Sequence, residues 1–452
     1  LKLIFLIQYM AKVIKLRKGL DVNLKGKAIL ETTQVKCPGE YALIPDDFTG
    51  VKPKVVVKEG DAVLAGDALF VDKLHPEVKF VSPVSGTVSL VERGERRKLL
   101  SIRVQASETQ EYRVFDQKDD VKALLMESGL FAFFRQRPYD VVANPEDKPK
   151  AIFVSAFNSM PLSQDFEYAL KGYETEFQAG ISALSKIAKV YLGVNNKQTN
   201  PALTVAKDCE VNIFDGPAPA GNVGVQINHL CPINKGEVVW TMGAEAVIFV
   251  GTLMTTGKVN MTRTVALAGS EVKSPCYAKM LVGQKLNTLL EGQIDKSKSL
   301  RIINGNVMTG VKTSSEGFLG AYSTEINVIP EGDHADEFMG WIAPRFNTYS
   351  SHRSYFSWLL GKKKEYTFDA RIKGGERHMI MSGEYDRVFP MDIFAGYLVK
   401  AIIVGDIDRQ EALGIYEVAP EDFAIAEFVD SSKLELQRIV REGLDILRKE
   451  NA

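Results

Sequence analysis

The stretch whose side chains could act together chemically is Gly129–Pro138, which reads Gly-Leu-Phe-Ala-Phe-Phe-Arg-Gln-Arg-Pro. Leu130, Phe131, Phe133 and Phe134 offer apolar surface, and Arg135 and Arg137 offer permanently charged donors just before Pro138. A loop that cradles a phosphate is rich in glycine, because only a backbone without Cβ atoms can approach a phosphate closely. This stretch has no glycine after its first residue. Two readings follow. The stretch is an amphipathic helix end whose phenylalanines enter a core, or it is a loop that holds something apolar.

Other reactive residue types are scattered. Cys37, Cys209, Cys231 and Cys276 form no Cys-x-x-Cys, and the spacing of Cys209, His229 and Cys231 fits no zinc or iron–sulfur pattern. Reduced thiols in a cytosolic chain are the simplest expectation. Lys73 is the one lysine near the place where a biotinyl or lipoyl carrier presents its modified lysine, but Leu74-His75-Pro76-Glu77 does not suit a carrier tip. Gly405-Asp406-Ile407-Asp408 begins like a calcium loop and fails, because Glu411 stands where the turn needs glycine. The dinucleotide fingerprint Gly-x-Gly-x-x-Gly and the P-loop are both absent. Gly216–Gly224 is glycine-rich, yet it does not open a helix directly after a strand and reads as a shaped loop.

The elements that must position these residues fall into five segments of an α/β multidomain chain. Residues 10–105 carry Gly60-Asp61, Val63, Gly66-Asp67 and then Val81-Ser82-Pro83-Val84-Ser85-Gly86-Thr87-Val88. Their turn glycines and β-branched runs give a barrel-sandwich hybrid of the biotinyl/lipoyl type. Arg93–Lys98 reads as a charged hairpin turn that could also meet an acidic partner. Residues 106–150 form a connector. In it a helix over Asp119–Ser128 is ended by Gly129.

Residues 151–262 alternate strands (Ala151–Val154, Val190–Val194, Val211–Phe214) with helical patterns, which implies a parallel, Rossmann-like sheet. Thr241 is expected to cap a helix running to Thr256 and stopped by Gly257. Residues 263–330 suit a β-grasp unit, and residues 331–452 are mainly helical. The last region opens with Trp341, Phe346, Tyr349, Tyr355, Phe356 and Trp358 beside Lys362-Lys363-Lys364, which are either core aromatics or an exposed arm for a partner or membrane surface. Further on we expect a helix over Met391–Val404 and an Asp408 cap. A capping box of Ser432 with Glu435 opens the last helix.

The chain has 452 residues with a net charge of −1, so composition gives no electrostatic case for nucleic acid. The longest apolar run, Val238–Met254, is interrupted by Glu245 and falls short of the ~18–20 residues that a membrane span needs. Met10 reads as the natural start, with residues 1–9 upstream of it.

Several stretches together resemble one family: Ile14–Asp21, Phe80–Val88, Arg93–Arg97, Trp240–Gly257 and Phe389–Ile393. From Met10 onward the chain resembles the A subunits of the Na+-translocating NADH:quinone oxidoreductases, with the C subunit of Rnf complexes and the flavin subunit of complex I as wider relatives. The β-grasp unit is then expected to be of the SLBB-like kind. Those wider relatives carry a glycine-rich flavin loop where this chain has Gly129–Pro138. The Rnf relatives carry clustered cysteines near Ala424–Ser431, where this chain has none.

The resemblance implies a peripheral subunit on the cytoplasmic face of the bacterial inner membrane, in a six-subunit complex that reduces quinone and exports Na+. It implies no redox cofactor in this chain. NAD, flavins and iron centres belong to partner subunits, including a membrane-embedded flavin-bearing one. If the family's association with quinone applies, the ring sits among Leu130, Phe131, Phe133, Phe134 and Pro138, and Arg135 or Arg137 donates to a quinone carbonyl. The competing readings are a stand-alone NADH-oxidising flavoprotein, a biotin or lipoyl carrier, and a structural scaffold.

Overall fold

The structure is a computed structural model that describes residues 11–37, 39–333, 345–361, 363–379 and 383–451. Met10 with residues 1–9, Trp341 and Lys362 lie outside the described residues. The centre is a seven-stranded sheet in the order Lys12–Lys15, Glu210–Asp215, Val190–Asn195, Ile152–Ser155, Val239–Gly243, Arg135–Arg137, Val141–Val142. The first five strands run parallel, and the three expected in the α/β segment, Ile152–Ser155, Val190–Asn195 and Glu210–Asp215, lie side by side among them. The last two are antiparallel additions.

Alternation of side chains along these strands divides the core into two layers. Ile152, Val154, Leu192 and Val194 face helices Glu174–Ser185 and Ala244–Thr256. Phe153, Ile14 and Phe214 face the C-terminal helices through Leu398, Val399 and Phe423. The two helices of the first layer cross so closely that a Cβ on Gly251 would overlap the Glu176 carbonyl oxygen, and one on Gly180 would overlap that of Val247.

The barrel-sandwich module is present as a four-stranded sheet over a three-stranded one, with Phe70 and Phe80 stacked 4.4 Å apart inside. Arg93–Lys98 is the hairpin turn expected there, and Lys98 pairs with Asp46 at 2.6 Å. Lys73 is exposed just past the Ala68–Asp72 strand. The β-grasp sheet has six strands, in the order Val311–Thr313, Leu300–Asn304, Glu325–Pro330, Thr262–Ala268, Cys276–Leu281, Thr32–Thr33. Its short helix is Asn287–Leu290. Beyond it, the described residues 345–379 hold one 3-10 turn, Phe356–Leu360, and the helices run from Glu384–Val388 to Leu436–Glu450, whose Leu436, Val440, Leu444 and Leu447 are buried.

Long-range pairing overrode several local expectations. Thr241 caps no helix. It lies inside the Val239–Gly243 strand, and the helix starts at Ala244 behind Gly243. Lys12–Lys15 and Thr32–Thr33 belong to the α/β and β-grasp sheets, although they sit early in the chain. The short acidic helix Ile407–Ala412 is capped by Asp406, whose carboxylate accepts from the Arg409 N–H at 3.1 Å; Asp408 is in its first turn. The Ser432–Glu435 capping box does not form. Ser432 Oγ donates to the His378 carbonyl, and Glu427 of a neighbouring helix accepts from the Gln437 N–H at 2.8 Å instead. The helix expected from Met391 begins only at Ala395.

Candidate functional site

The helix Val121–Ser128 forms as its signals suggest. Asp120 accepts from the Ala123 N–H at 3.0 Å, and Gly129, at φ +77°, ends the helix in the left-handed region that favours glycine. Leu130–Phe133 is then a single 3-10 turn, and Arg135–Arg137 is a strand. The strand pairs Gln136 with Trp240 on one side and with Val141 on the other, so its backbone groups serve the ladder. Leu130, Phe131 and Phe134 have 0% exposure. Phe131 and Phe134 pack on Trp240 at 5.4 and 5.1 Å. They belong to one apolar core that continues from Phe70 and Phe80 of the barrel-sandwich module into the α/β layer. Most of this stretch is therefore the joint between two modules: its phenylalanines enter a core, as one reading expected, but from a 3-10 turn and the approach to a strand and not from a helix end.

Three of the seven candidate residues reach a cavity: Phe133, Arg135 and Arg137. Leu130, Phe131, Phe134 and Pro138 do not border it. The cavity, about 270 Å³, lies at the carboxyl ends of the parallel strands Ile152–Ser155 and Val239–Gly243. Open parallel α/β sheets bind ligands at that edge. The first turns of helices Val223–Leu230 and Ala244–Thr256 border the cavity, as do Arg263 and Tyr322 from the β-grasp unit and Glu421 from the helical region. Its apolar wall is Phe133, Phe157, Met160, Phe166 and Met242.

Its polar wall is a charge network. Arg135 Nη2 donates to Asp140 at 2.6 Å, and its guanidinium lies 5.6 Å from the Tyr322 ring centroid. Arg137, 1% exposed, donates through Nη2 to Glu421 at 3.1 Å and holds Nη1 3.6 Å from Asp140. Its Nε has no hydrogen-bond partner among the described residues. Burial alone would raise the Asp140 carboxyl; Arg135, Arg137 and Arg441 around it hold it below its ordinary value.

Glu245, 5% exposed, accepts from Gln164 Nε2 at 2.6 Å, and burial pushes its carboxyl up to about 7 against the opposing charge of Arg263. Burial likewise brings the Arg263 guanidinium down to about 10. Its ends donate to the carbonyls of Ala321 and Ser323 at 2.7 and 3.0 Å. Gly221 of the expected shaped loop serves a loop–loop approach, since a Cβ there would lie 2.7 Å from the Ser159 nitrogen.

Chemically, this arrangement offers an apolar slot with guanidinium donors at one side and, near neutral pH, a carboxyl that can donate a hydrogen bond or a proton. That combination suits a ring bearing carbonyl oxygens, which only accept. Asp140, Gln164, Glu245, Arg263, Tyr322 and Glu421 were not singled out from the sequence. The one available signal was Glu245, the lone carboxylate inside the apolar run Val238–Met254.

Comparison with known proteins matches these parts to one family. Residues 14–107 match the NqrA N-terminal barrel-sandwich hybrid domain, 116–259 the NqrA second alpha/beta domain, and 264–315 the NQRA C-terminal domain. The chain is 35% identical over 452 residues to the Na(+)-translocating NADH-quinone reductase A subunit of Haemophilus influenzae (strain PittGG), covering 97% of this chain and 100% of that one. It is 34% identical to the corresponding A subunits of Rhodopirellula baltica, at 97% and 98% coverage, and of Neisseria meningitidis serogroup B, at 97% and 100%. Among solved structures, an NAD+-reducing [NiFe]-hydrogenase aligns over 47% of each chain at 12% identity with a TM-score of 0.33, too low to carry an argument. The three domain matches in series and the full-length identity place the chain in the NqrA family, the A subunits of the Na+-translocating NADH-quinone reductases, oxidoreductase complexes that translocate sodium.

Proposed function

We propose that this chain is a peripheral subunit on the cytoplasmic face of the bacterial inner membrane, supporting quinone reduction coupled to Na+ export. It holds no redox cofactor itself and is not catalytic alone. NAD, flavins and iron centres reside in the other subunits, one of them a membrane-embedded flavin carrier. No helix among the described residues is long and apolar enough to cross a membrane.

The observation that carries the quinone reading is the cavity. Its apolar wall, with Phe133 on one side and Arg135 and Arg137 beside it, combines a slot for a ring with donors for its oxygens. Its volume, about 270 Å³, falls just below the usual range of ligand pockets (~300–1,000 Å³) and suits a group the size of a ring. The stretch that would cradle a flavin phosphate is a 3-10 turn and a sheet strand, and its Leu130, Phe131 and Phe134 lie in a core. That supports a chain without flavin of its own.

The contact is accordingly narrower than the whole Gly129–Pro138 stretch. Phe133, Arg135 and Arg137 meet the ring, while Leu130, Phe131, Phe134 and Pro138 hold them in place. The test is affinity purification of the tagged chain from bacterial membranes. We expect it to bring down membrane subunits with covalently bound flavin, and the chain purified alone to be colourless. A yellow isolated chain that oxidises NADH would overturn this reading.

A purely structural role is the second reading, favoured by the full burial of Leu130, Phe131 and Phe134. Persistent NADH-to-quinone transfer in a complex lacking the chain would establish it.

A further inference from the structure

The described part of residues 345–379 presents apolar and basic groups together. Phe356–Leu360 is a one-turn 3-10 helix fixed from below by Ser357, whose residue is buried. Around this anchor Phe356, Trp358, Leu359 and Leu360 point outward, between 45% and 60% exposed. Phe346 joins them at 49% exposure, its ring 6.1 Å from that of Phe356. With aromatic side chains of ~150–250 Å² each, these five residues expose on the order of 400 Å². That is the size of the largest apolar patch on a typical protein (~300–600 Å²), a patch that is often functional.

The segment that carries this face is basic: between residues 345 and 379 the sequence has eight lysines and arginines against three acidic residues, in a chain whose net charge is −1. Arg353 lies 5.0 Å from the Trp358 ring centroid, and Lys363 is exposed beyond the turn. Lys364 ties the two apolar stretches together by donating to the Phe346 carbonyl at 2.7 Å.

We propose that Phe346 and Phe356–Leu360, flanked by Arg353, Lys363 and Lys364, form a docking surface for an anionic lipid bilayer. A protruding turn of large apolar side chains suits shallow insertion among acyl chains, while lysine and arginine beside it meet lipid phosphates. Tryptophan is favoured at that depth, where its ring is apolar and its N–H is wet. The excess of positive charge supplies the complementarity, because the cytoplasmic leaflet carries anionic lipid. This surface does not involve the cavity or its arginines, so it stands apart from the quinone reading.

The experiment is co-sedimentation of the full chain with two kinds of vesicle, phosphatidylcholine alone and equal parts phosphatidylcholine and phosphatidylglycerol. We expect binding to the anionic vesicles only, weakened by added salt. Two surface variants should each bind about tenfold more weakly while unfolding like the parent: Trp358→Ser with Leu360→Ser, and Arg353→Glu with Lys363→Glu. Equal binding to both vesicles, binding to neither, or parental affinity in both variants would overturn the proposal. If vesicles are ignored while the Trp358→Ser, Leu360→Ser variant loses its membrane subunits on purification, the face is a protein interface and the lipid assignment is wrong.

Discussion

Replacing Glu245 by glutamine should stabilise the protein at alkaline pH and leave it unchanged in acid. The carboxyl is buried at the cavity edge and its proton is held up to about 7, against an ordinary 4.5. Between those values the folded chain keeps the proton and the unfolded chain has lost it. Stability therefore falls as pH rises through that window and stays lower above it. At ~1.4 kcal/mol per pH unit the loss is about 3 kcal/mol. Glutamine never ionises, and its Oε1 can still accept from Gln164 Nε2, so the variant avoids that loss.

At pH 8 the Glu245→Gln protein should be more stable than the parent by up to about 3 kcal/mol. For a chain of this length that is about 3 °C in melting temperature. At pH 4.5 the two should agree within ~0.5 kcal/mol. The assay is chemical denaturation followed by circular dichroism across this range. Asp47 and Asp422, raised by burial to about 6 and about 7, titrate in both proteins and cancel in the difference. Parallel pH profiles, or a variant less stable at pH 8, would refute the reasoning.

Substitutions at four other positions test the packing, the caps and the charge network by the same denaturation assay. Gly251→Ala would drive a Cβ into the Glu176 carbonyl oxygen, and because backbone cannot swing aside it should cost ~2–3 kcal/mol. Asp406→Ala should cost ~1 kcal/mol by removing the cap on the Arg409 N–H, whereas Asp408→Ala should change little. Arg137→Ala takes one of three guanidiniums from buried Asp140, which keeps Arg135 and Arg441, and should destabilise by ~1.5–3 kcal/mol, with Arg137→Lys milder.

The fold was legible wherever short-range signals agreed. Asp120 and Gly129 bracket a helix because a carboxylate cap and a left-handed glycine are local devices, and Ile152, Val190 and Val211 open runs too apolar for anything but a buried sheet. What escaped was long-range pairing. Arg135–Arg137 carries two charges in three residues, so nothing local marks it as a strand; it exists because Trp240 and Val141 lie on either side. Thr241 reads as a cap when only its downstream helix is considered, but its own backbone is taken by the sheet.

The same physics governed the site. Phe131 and Phe134 look like ligand contacts in a bulky loop, yet aromatic side chains reach the nearest core, and here Trp240 supplies it. Glu245, Arg263 and Glu421 come from separate segments that only the tertiary fold brings to one cavity.

The central claim is that this cavity serves quinone in the assembled complex. Its most direct test is the quinone KM of complexes carrying Arg135→Gln or Phe133→Leu, with NADH oxidation by an artificial acceptor measured alongside. In Arg135→Gln, loss of a charge-assisted hydrogen bond worth ~1.5–3 kcal/mol should raise the quinone KM about tenfold or more, Phe133→Leu should raise it less by thinning the apolar wall, and the artificial-acceptor rate should stay at the parental level in both. A parental quinone KM in both variants would contradict the account.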